Sequence, residues 1–207
     1  MTHIKICGIT NLADARFAAG AGADFLGFIQ HPDSPRYVDP RGAREIIEWV
    51  YGAKSVGVYV NASAETINET AEYARFDFVQ LHGDESPDAC SRVAPPVIKA
   101  VRVHPGWTKS DIELAVAAYA DVAEYILFDT WDAALYGGTG TSFDWSILSG
   151  IELALPFFVA GGLRPETVSE AIAACQPFGV DVSSGVELSP GQKDVNAITE
   201  FVEAIRS

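Results

Sequence analysis

Cys7 closes the first short apolar run of the chain, and Asp129 closes a later one, Tyr125-Ile126-Leu127-Phe128-Asp129. A thiolate that takes a proton and a carboxyl that gives one are the two groups an acid–base reaction needs. Side chains alternate along a strand, so Lys5 and Cys7 share a face, about 6.6 Å apart at ~3.3 Å per residue. An ammonium at that spacing is expected to lower the thiol pKa: an ordinary thiol near ~8.5 is about 3% ionised at pH 7, and roughly 2 kcal/mol brings it to ~7. Cys7 also reads as a small core residue, as Cys90 and Cys175 do within helical patterns. Asp129 reads either as a loop cap or as an acid, and a carboxyl must be lifted by about 3 units, at about 4 kcal/mol, to give up a proton near pH 7.

Arg36 sits in His31-Pro32-Asp33-Ser34-Pro35-Arg36-Tyr37-Val38, a loop stiffened by two prolines. A guanidinium on so short a tether suits a carboxylate or phosphate, the alternative being a solvated surface arginine. Two small-residue turns come late, Ala160-Gly161-Gly162-Leu163 and Asp181-Val182-Ser183-Ser184-Gly185-Val186-Glu187. Each follows a β-branched run and precedes a helical pattern, which leaves backbone N–H groups free at a helix start for an anion; plain turns are the alternative. Asp181 faces inward with Gly179 and Ser183, where its carboxylate suits sugar hydroxyls or the turn's own amides. Residues 132–141, with Gly138, Gly140 and Thr141 among them, read as a loop long and glycine-rich enough to cover Asp129, a purely flexible loop being the alternative. Gln80 and Lys99 interrupt apolar strands and are expected to point into the sheet's interior; His82 follows at a strand end without an assigned role.

Apolar runs of about five residues alternate with amphipathic stretches of about ten, the βαβ pattern of a parallel sheet. Eight rounds are read, with strands His3 to Cys7, Asp24 to Ile29, Ser55 to Val60, Phe76 to Leu81, Val97 to Val101, Tyr125 to Asp129, Phe157 to Ala160 and Gly179 to Val182. A helical stretch is expected after each, including Asn11 to Ala21 and Asp194 to Arg206; the one after Asp84 has the weakest pattern. Asn11, Ser63 and Ser110 (with Glu113) read as helix caps and Pro165 as a first-turn proline. The fold class expected is α/β, a single-domain (β/α)8 TIM barrel over residues 1–207, compact at about 26 residues per unit. An open doubly wound sheet places its Gly-rich phosphate turn after the first strand, whereas here such turns come last, where a barrel binds phosphate.

The chain has 207 residues, a hydrophobic fraction of 48% and a net charge of −14. That charge argues against nucleic acid as a partner, and no apolar run approaches the roughly 20 residues that span a bilayer. Cysteines without C-x-x-C spacing and scattered histidines suggest neither a metal site nor a disulfide framework. A cytoplasmic protein with no export leader is expected, its acidic surface serving solubility or a salty habitat.

Together, Lys5-Ile6-Cys7-Gly8-Ile9-Thr10, Ser34-Pro35-Arg36-Tyr37-Val38, Gln80-Leu81-His82-Gly83-Asp84-Glu85, Gly137-Gly138-Thr139-Gly140, Ala160-Gly161-Gly162-Leu163 and Asp181 to Glu187 resemble phosphoribosylanthranilate isomerases of tryptophan biosynthesis. The likeness runs from residue 3 to the C-terminal helix. It implies an Amadori rearrangement of N-(5-phosphoribosyl)anthranilate to the 1-deoxyribulose 5-phosphate isomer, without metal or organic cofactor, in a monomer or homodimer. The resemblance implies that Cys7 is the general base, Asp129 the general acid and Arg36 the partner of the anthranilate carboxylate. Gly161, Gly162, Ser184 and Gly185, with the loop from Gly138 to Thr141, would hold the phosphate. The chain departs from the family pattern at Gln30 and His31, which are expected to alter the wall beside the aromatic ring. A related isomerase of histidine biosynthesis would use two aspartates and lack a cysteine at position 7; a non-catalytic binding barrel would lack Cys7 or Asp129.

Overall fold

The computed structural model describes residues 1–130 and 143–207; the glycine-rich loop 132–141, with Gly138, Gly140 and Thr141, lies outside the described residues. Eight parallel strands close into a barrel in chain order: β1 (His3–Cys7), β2 (Phe25–Ile29), β3 (Lys54–Tyr59), β4 (Phe78–Leu81), β5 (Val97–Val103), β6 (Tyr125–Thr130), β7 (Phe157–Val159) and β8 (Gly179–Val182). β8 pairs back onto β1 with Asp181 opposite Lys5, which closes the ring. Among the described residues seven α-helices accompany them: α1 (Leu12–Ala21), α2 (Pro40–Ile47), α3 (Ala64–Ala74), α4 (Pro87–Ser91), α5 (Lys109–Ala117), α6 (Val168–Cys175) and α7 (Val195–Arg206).

The twofold alternation of the strands sorts the core into two layers. Phe25, Val56, Val58, Ile98, Leu127 and Phe158 face inward, while Ile4, Ile6, Leu26, Phe28, Val79 and Leu81 face the helices and meet Ala15, Ala18, Ile67, Ala71, Ile198 and Phe201. Phe25, Phe78, Tyr125, Phe158 and Phe178 interlock edge-to-face and tilted at centroid spacings of 4.8 to 6.5 Å. Four of them stand at strand starts or just before one, so apolar rings plug the N-terminal half of the barrel. Polar inward positions, Lys5, Gln80, Asp129 and Asp181, come later along their strands and collect at the other end.

Local sequence sets the helix starts. Asn11, Asp39, Ser63, Ser86 and Asp194 each accept a hydrogen bond from an N–H of the first turn, with Pro40 and Pro87 in the position that needs no N–H donor. Three expectations are corrected. The capping box before α5 is Thr108 with Asp111, because the helix begins two residues before the expected Ser110 and Glu113 pair. Pro165 lies in a turn ahead of α6, where Arg164 O accepts the N–H groups of Thr167 and Val168. After β6 the described residues contain a 3₁₀ turn, Trp145–Leu148, ended near Gly150 (φ 65°), where a helix was expected. After β8 another 3₁₀ turn, Ser184–Val186, and a hairpin of β9 (Glu187–Ser189) and β10 (Gln192–Lys193) precede α7.

Lys99 is the further correction. Ile98 and Ala100 face the interior, so Lys99 between them points out of the barrel. Its ammonium is buried against Leu81 O (3.1 Å), Gly83 O (2.8 Å) and Glu85 Oε2 (2.7 Å), under the ring of Tyr119. That pair pins the loop leaving β4, on which His82 stands.

Candidate active site

A cleft of about 830 Å³, open to solvent, is lined by the inward residues at the C-terminal strand ends and the loops above them. Cys7, Arg36, Asp129, Gly161, Gly162, Asp181, Ser184 and Gly185 all line it. Every site residue expected from the sequence and lying among the described residues therefore meets in one place.

Cys7 ends β1 beside two buried lysines from opposite ends of the chain. Lys5 Nζ donates to Asp181 Oδ1 at 2.9 Å, and burial, which alone would lower the Lys5 pKa, is outweighed by Asp181 and the thiol, so Lys5 stays a cation. Lys193 Nζ donates to Cys7 O (2.5 Å), Ser183 O (3.2 Å) and Glu187 Oε1 (2.9 Å). Burial pushes the Cys7 thiol up; Lys5 and Lys193 pull the other way, Asp181 opposes them, and burial prevails. The expected lowering by Lys5 is thus corrected: complete desolvation of a would-be thiolate exceeds the help of one cation already neutralised by Asp181.

On the other side of the cleft Asp129 is fixed through both oxygens. Oδ1 accepts the Thr130 N–H at 2.7 Å and Oδ2 lies 3.1 Å from His82 Nε2. The Gln80 amide, with Nε2 2.7 Å from His82 Nδ1, makes that ring nitrogen the acceptor and places the ring proton on Nε2, facing Asp129. Gln80 and His82 share a face of β4 and its extension, which brings both to the same wall.

Arg36 lies across the turn after β1. Gly8 (φ 79°) allows this, since a Cβ there would stand 2.7 Å from Arg36 Cδ. Its Nε and Nη2 are held by Glu187 at 2.7 to 3.0 Å. Burial raises the Glu187 pKa, but Arg36 and Lys193 outweigh it and hold the carboxyl below its ordinary value. Lys193 is itself lowered by burial, against the pull of Glu187 and the thiol.

The turns after β7 and β8 pack against each other so closely that a Cβ on Gly185 would lie 1.9 Å from Leu163 O. The N–H groups of Gly162, Leu163, Ser184 and Gly185 have no acceptor among the described residues, and all four residues line the cleft. Four such donors from two adjacent turns make a site for an anion.

A family model, N-(5'-phosphoribosyl)anthranilate (PRA) isomerase, matches residues 4–204. The chain belongs to the N-(5'-phosphoribosyl)anthranilate isomerase family. Its sequence is 47% identical to such an isomerase of Pseudomonas putida, covering 98% of this chain and 96% of that one, and 44% identical to one of Geobacter metallireducens over 100% of both. Among solved structures it superposes on the phosphoribosyl anthranilate isomerase of Thermotoga maritima with a TM-score of 0.89, at 40% identity over 100% of this chain and 99% of that one. Another, at TM-score 0.86, 40% identity and the same coverage, is an isomerase in complex with reduced 1-(o-carboxyphenylamino)-1-deoxyribulose 5-phosphate. The activity is therefore that of the isomerase, in tryptophan biosynthesis. Among the described residues no helix is long and apolar enough to cross a membrane.

Within this isomerase fold, sequence reasoning missed three residues. His82 carried a signal, since it shares the inward parity of Gln80 at a strand end. Glu187 stood in a quoted motif without a role. Lys193 carried none: 186 positions separate it from Cys7, and only the hairpin after β8 brings them together. Of the two departures from the family pattern, His31 lines the cleft, whereas Gln30 is absent from its wall and donates its amide N–H to Val38 O at 2.9 Å.

Proposed function

We propose that Asp129 is the general acid and Cys7 the general base of the isomerisation, with Arg36 on the anthranilate carboxylate and Gly161, Gly162, Ser184, Gly185 and Gly140 on the phosphate. The convergence on one cleft of those that lie among the described residues supports the reading: thiol and carboxyl stand at the ends of β1 and β6, on different walls, and the paired turns leave four N–H groups for an anion. Protonation of the furanose ring oxygen by Asp129 breaks its bond to C1′, and the anthranilate nitrogen supplies the electron pair that makes the Schiff base. Cys7 removes the C2′ proton to give an enolamine. Loss of the O2′ proton and protonation at C1′ yield the ketone, so the reaction consists of proton transfers and needs no metal or organic cofactor.

The buried thiol suits this order. The cationic Schiff base, formed first, acidifies the C2′ proton and brings a positive charge to the thiol, so base and substrate activate together. His82 and Thr130 act as positioning groups that hold the Asp129 carboxyl toward the ring oxygen. Asp181 keeps Lys5 charged under the thiol and, lining the cleft, can take a sugar hydroxyl. Residues 1–207 act as one catalytic domain, in which α7 packs on α1 and joins the chain's ends. A reducing cytoplasm suits a thiol base. The active unit is a monomer or homodimer, one chain supplying the whole site; light scattering decides between them.

The test is the fluorescence decay of freshly made phosphoribosylanthranilate with wild type, Cys7→Ser and Asp129→Asn. Wild type accelerates the loss well beyond its spontaneous rate, and each variant loses at least about 100-fold in kcat. Both variants turning over like wild type would refute the assignment.

A further inference from the structure

We propose that Glu187 and Lys193 form a positioning pair that couples the arginine receiving the substrate's carboxylate to the strand end carrying the catalytic thiol. This rests on the roles given above to Arg36 and Cys7. Glu187 opens β9 with its side chain only 3% exposed, and it takes both Nε and Nη2 of Arg36. Two of the three guanidinium nitrogens thus point at a buried carboxylate, and the Nη1 edge is left to face a ligand. The tether of Arg36 does not dictate that orientation; Glu187 does.

Lys193 extends the same carboxylate to the chemistry. Its fully buried ammonium spends its three protons on Glu187, on the carbonyl of Cys7 and on that of Ser183, tying together the ends of β1 and β8. Arg36, Glu187 and Lys193 carry a net charge of +1, while Lys5 and Asp181 next to them cancel. The surplus cation therefore belongs to this triad, set between the place of the incoming carboxylate and the thiol. A pair serving only the hairpin would not engage the backbone of the residue that carries the base. The charged groups around the thiol are Lys5 from β1, Asp181 from β8 and Lys193 from β10, with Arg36 and Glu187 behind Lys193 and Asp129 and His82 across the cleft. Gly27 on β2 brings no charge, only room, since a Cβ there would lie 2.7 Å from Cys7 Sγ.

The experiment titrates reduced 1-(o-carboxyphenylamino)-1-deoxyribulose 5-phosphate, and the same compound without its ring carboxylate, into wild type, Arg36→Met and Glu187→Gln by calorimetry. Wild type prefers the carboxylated compound and Arg36→Met does not. Glu187→Gln loses at least about 10-fold of that preference while binding the other compound within about 2-fold of wild type; its KM rises at least about 10-fold with kcat within about 3-fold. Lys193→Met lowers kcat at least about 10-fold and moves the iodoacetamide alkylation of Cys7, read on its peptide by mass spectrometry, to higher pH, and Lys193→Arg restores much of both. Circular dichroism establishes folding; if Glu187→Gln does not fold, Glu187→Asp, which keeps the charge but shortens the reach, carries the same expectation, and Lys193→Gln stands in likewise for Lys193→Met. Wild-type preference in the Glu187 variant, or an unmoved alkylation profile in the Lys193 variant, overturns the inference. A wild type that does not distinguish the two compounds refutes the role of Arg36 beneath it, and the inference falls with that role.

Discussion

Replacing Gly185 by alanine tests the phosphate cradle at its tightest contact. The added Cβ would stand 1.9 Å from Leu163 O and 3.0 Å from Leu163 C, where ordinary contact begins near 3.4 Å, so the two turns must part by about 1.5 Å. Gly185 is not among the residues with positive φ, so the strain comes from the contact alone. Hydrogen bonds near ~2.9 Å weaken steeply when stretched by more than about half an ångström, so one phosphate can no longer reach both turns. Losing two charge-assisted bonds at ~1.5 kcal/mol each removes about 3 kcal/mol, or roughly 100-fold in affinity. KM for phosphoribosylanthranilate and the inhibition constant of inorganic phosphate are both expected to rise at least about 10-fold, with kcat within about 3-fold because Cys7 and Asp129 lie on other strands. Steady-state fluorescence assays measure the first, and competition with inorganic phosphate the second. Gly20→Ala is the control, since a Cβ there meets nothing within 4 Å and alanine favours the helix. An unchanged KM and phosphate inhibition in Gly185→Ala, or a fall in kcat alone, would refute the cradle.

Three further outcomes follow from the same geometry. Burial holds the Cys7 thiol above its ordinary pKa, so alkylation by iodoacetamide in the free enzyme is expected to reach half its maximal rate only at a higher pH than alkylation of the unfolded chain does. Because the folded thiol keeps its proton where the unfolded one has lost it, its contribution to stability is full below the unfolded pKa and is lost as pH rises from there toward the folded value; urea unfolding of wild type against Cys7→Ala across that range reads the difference. His82→Asn removes the ring that reaches Asp129 and is expected to lower kcat at least about 10-fold with little change in KM, whereas a KM effect alone would make His82 a binding residue. Lys99→Met leaves Glu85 buried without its cation, which costs about 3 to 5 kcal/mol and lowers the thermal midpoint by roughly 10 °C in calorimetry; a midpoint unmoved from wild type would show that the three N–H and ammonium partners of Glu85 are not equally needed.

What the sequence made legible was what alternation along a strand and position at its end can encode. β1 and β8 were read to the residue, and the inward set of Cys7, Asp129 and Asp181 followed from strand ends alone. Helix starts were legible where the cap is local, as at Asn11 and Ser63, and slipped at Ser110, where Thr108 and Asp111 offer the same spacing two residues earlier. Lys99 shows where composition misleads: polarity suggested an inward place, but its parity with Ile98 and Ala100 decides, and Glu85 was waiting on the outer side. The thiol shows a second limit. Spacing revealed a nearby cation, yet a pKa depends on everything that surrounds the group, and the burial that raises it and the Asp181 that occupies Lys5 are both tertiary.

The same distinction separates the groups proposed to do the chemistry from those proposed to aim them. Cys7, Asp129 and Arg36 lie at strand ends or on a stiff loop, where local sequence announces them. Their supports come from elsewhere: His82 from the neighbouring wall, Glu187 and Lys193 from a hairpin beyond the last strand, more than 150 residues from Arg36 and Cys7. An isomerase with only the announced residues would have a thiol without its second cation and an arginine free to swing. The β9–β10 hairpin, inserted where a barrel unit would otherwise pass straight into its helix, therefore has a chemical reason to be there: it returns one anion and one cation to the mouth of the barrel, at the place where β1 and β8 close the ring.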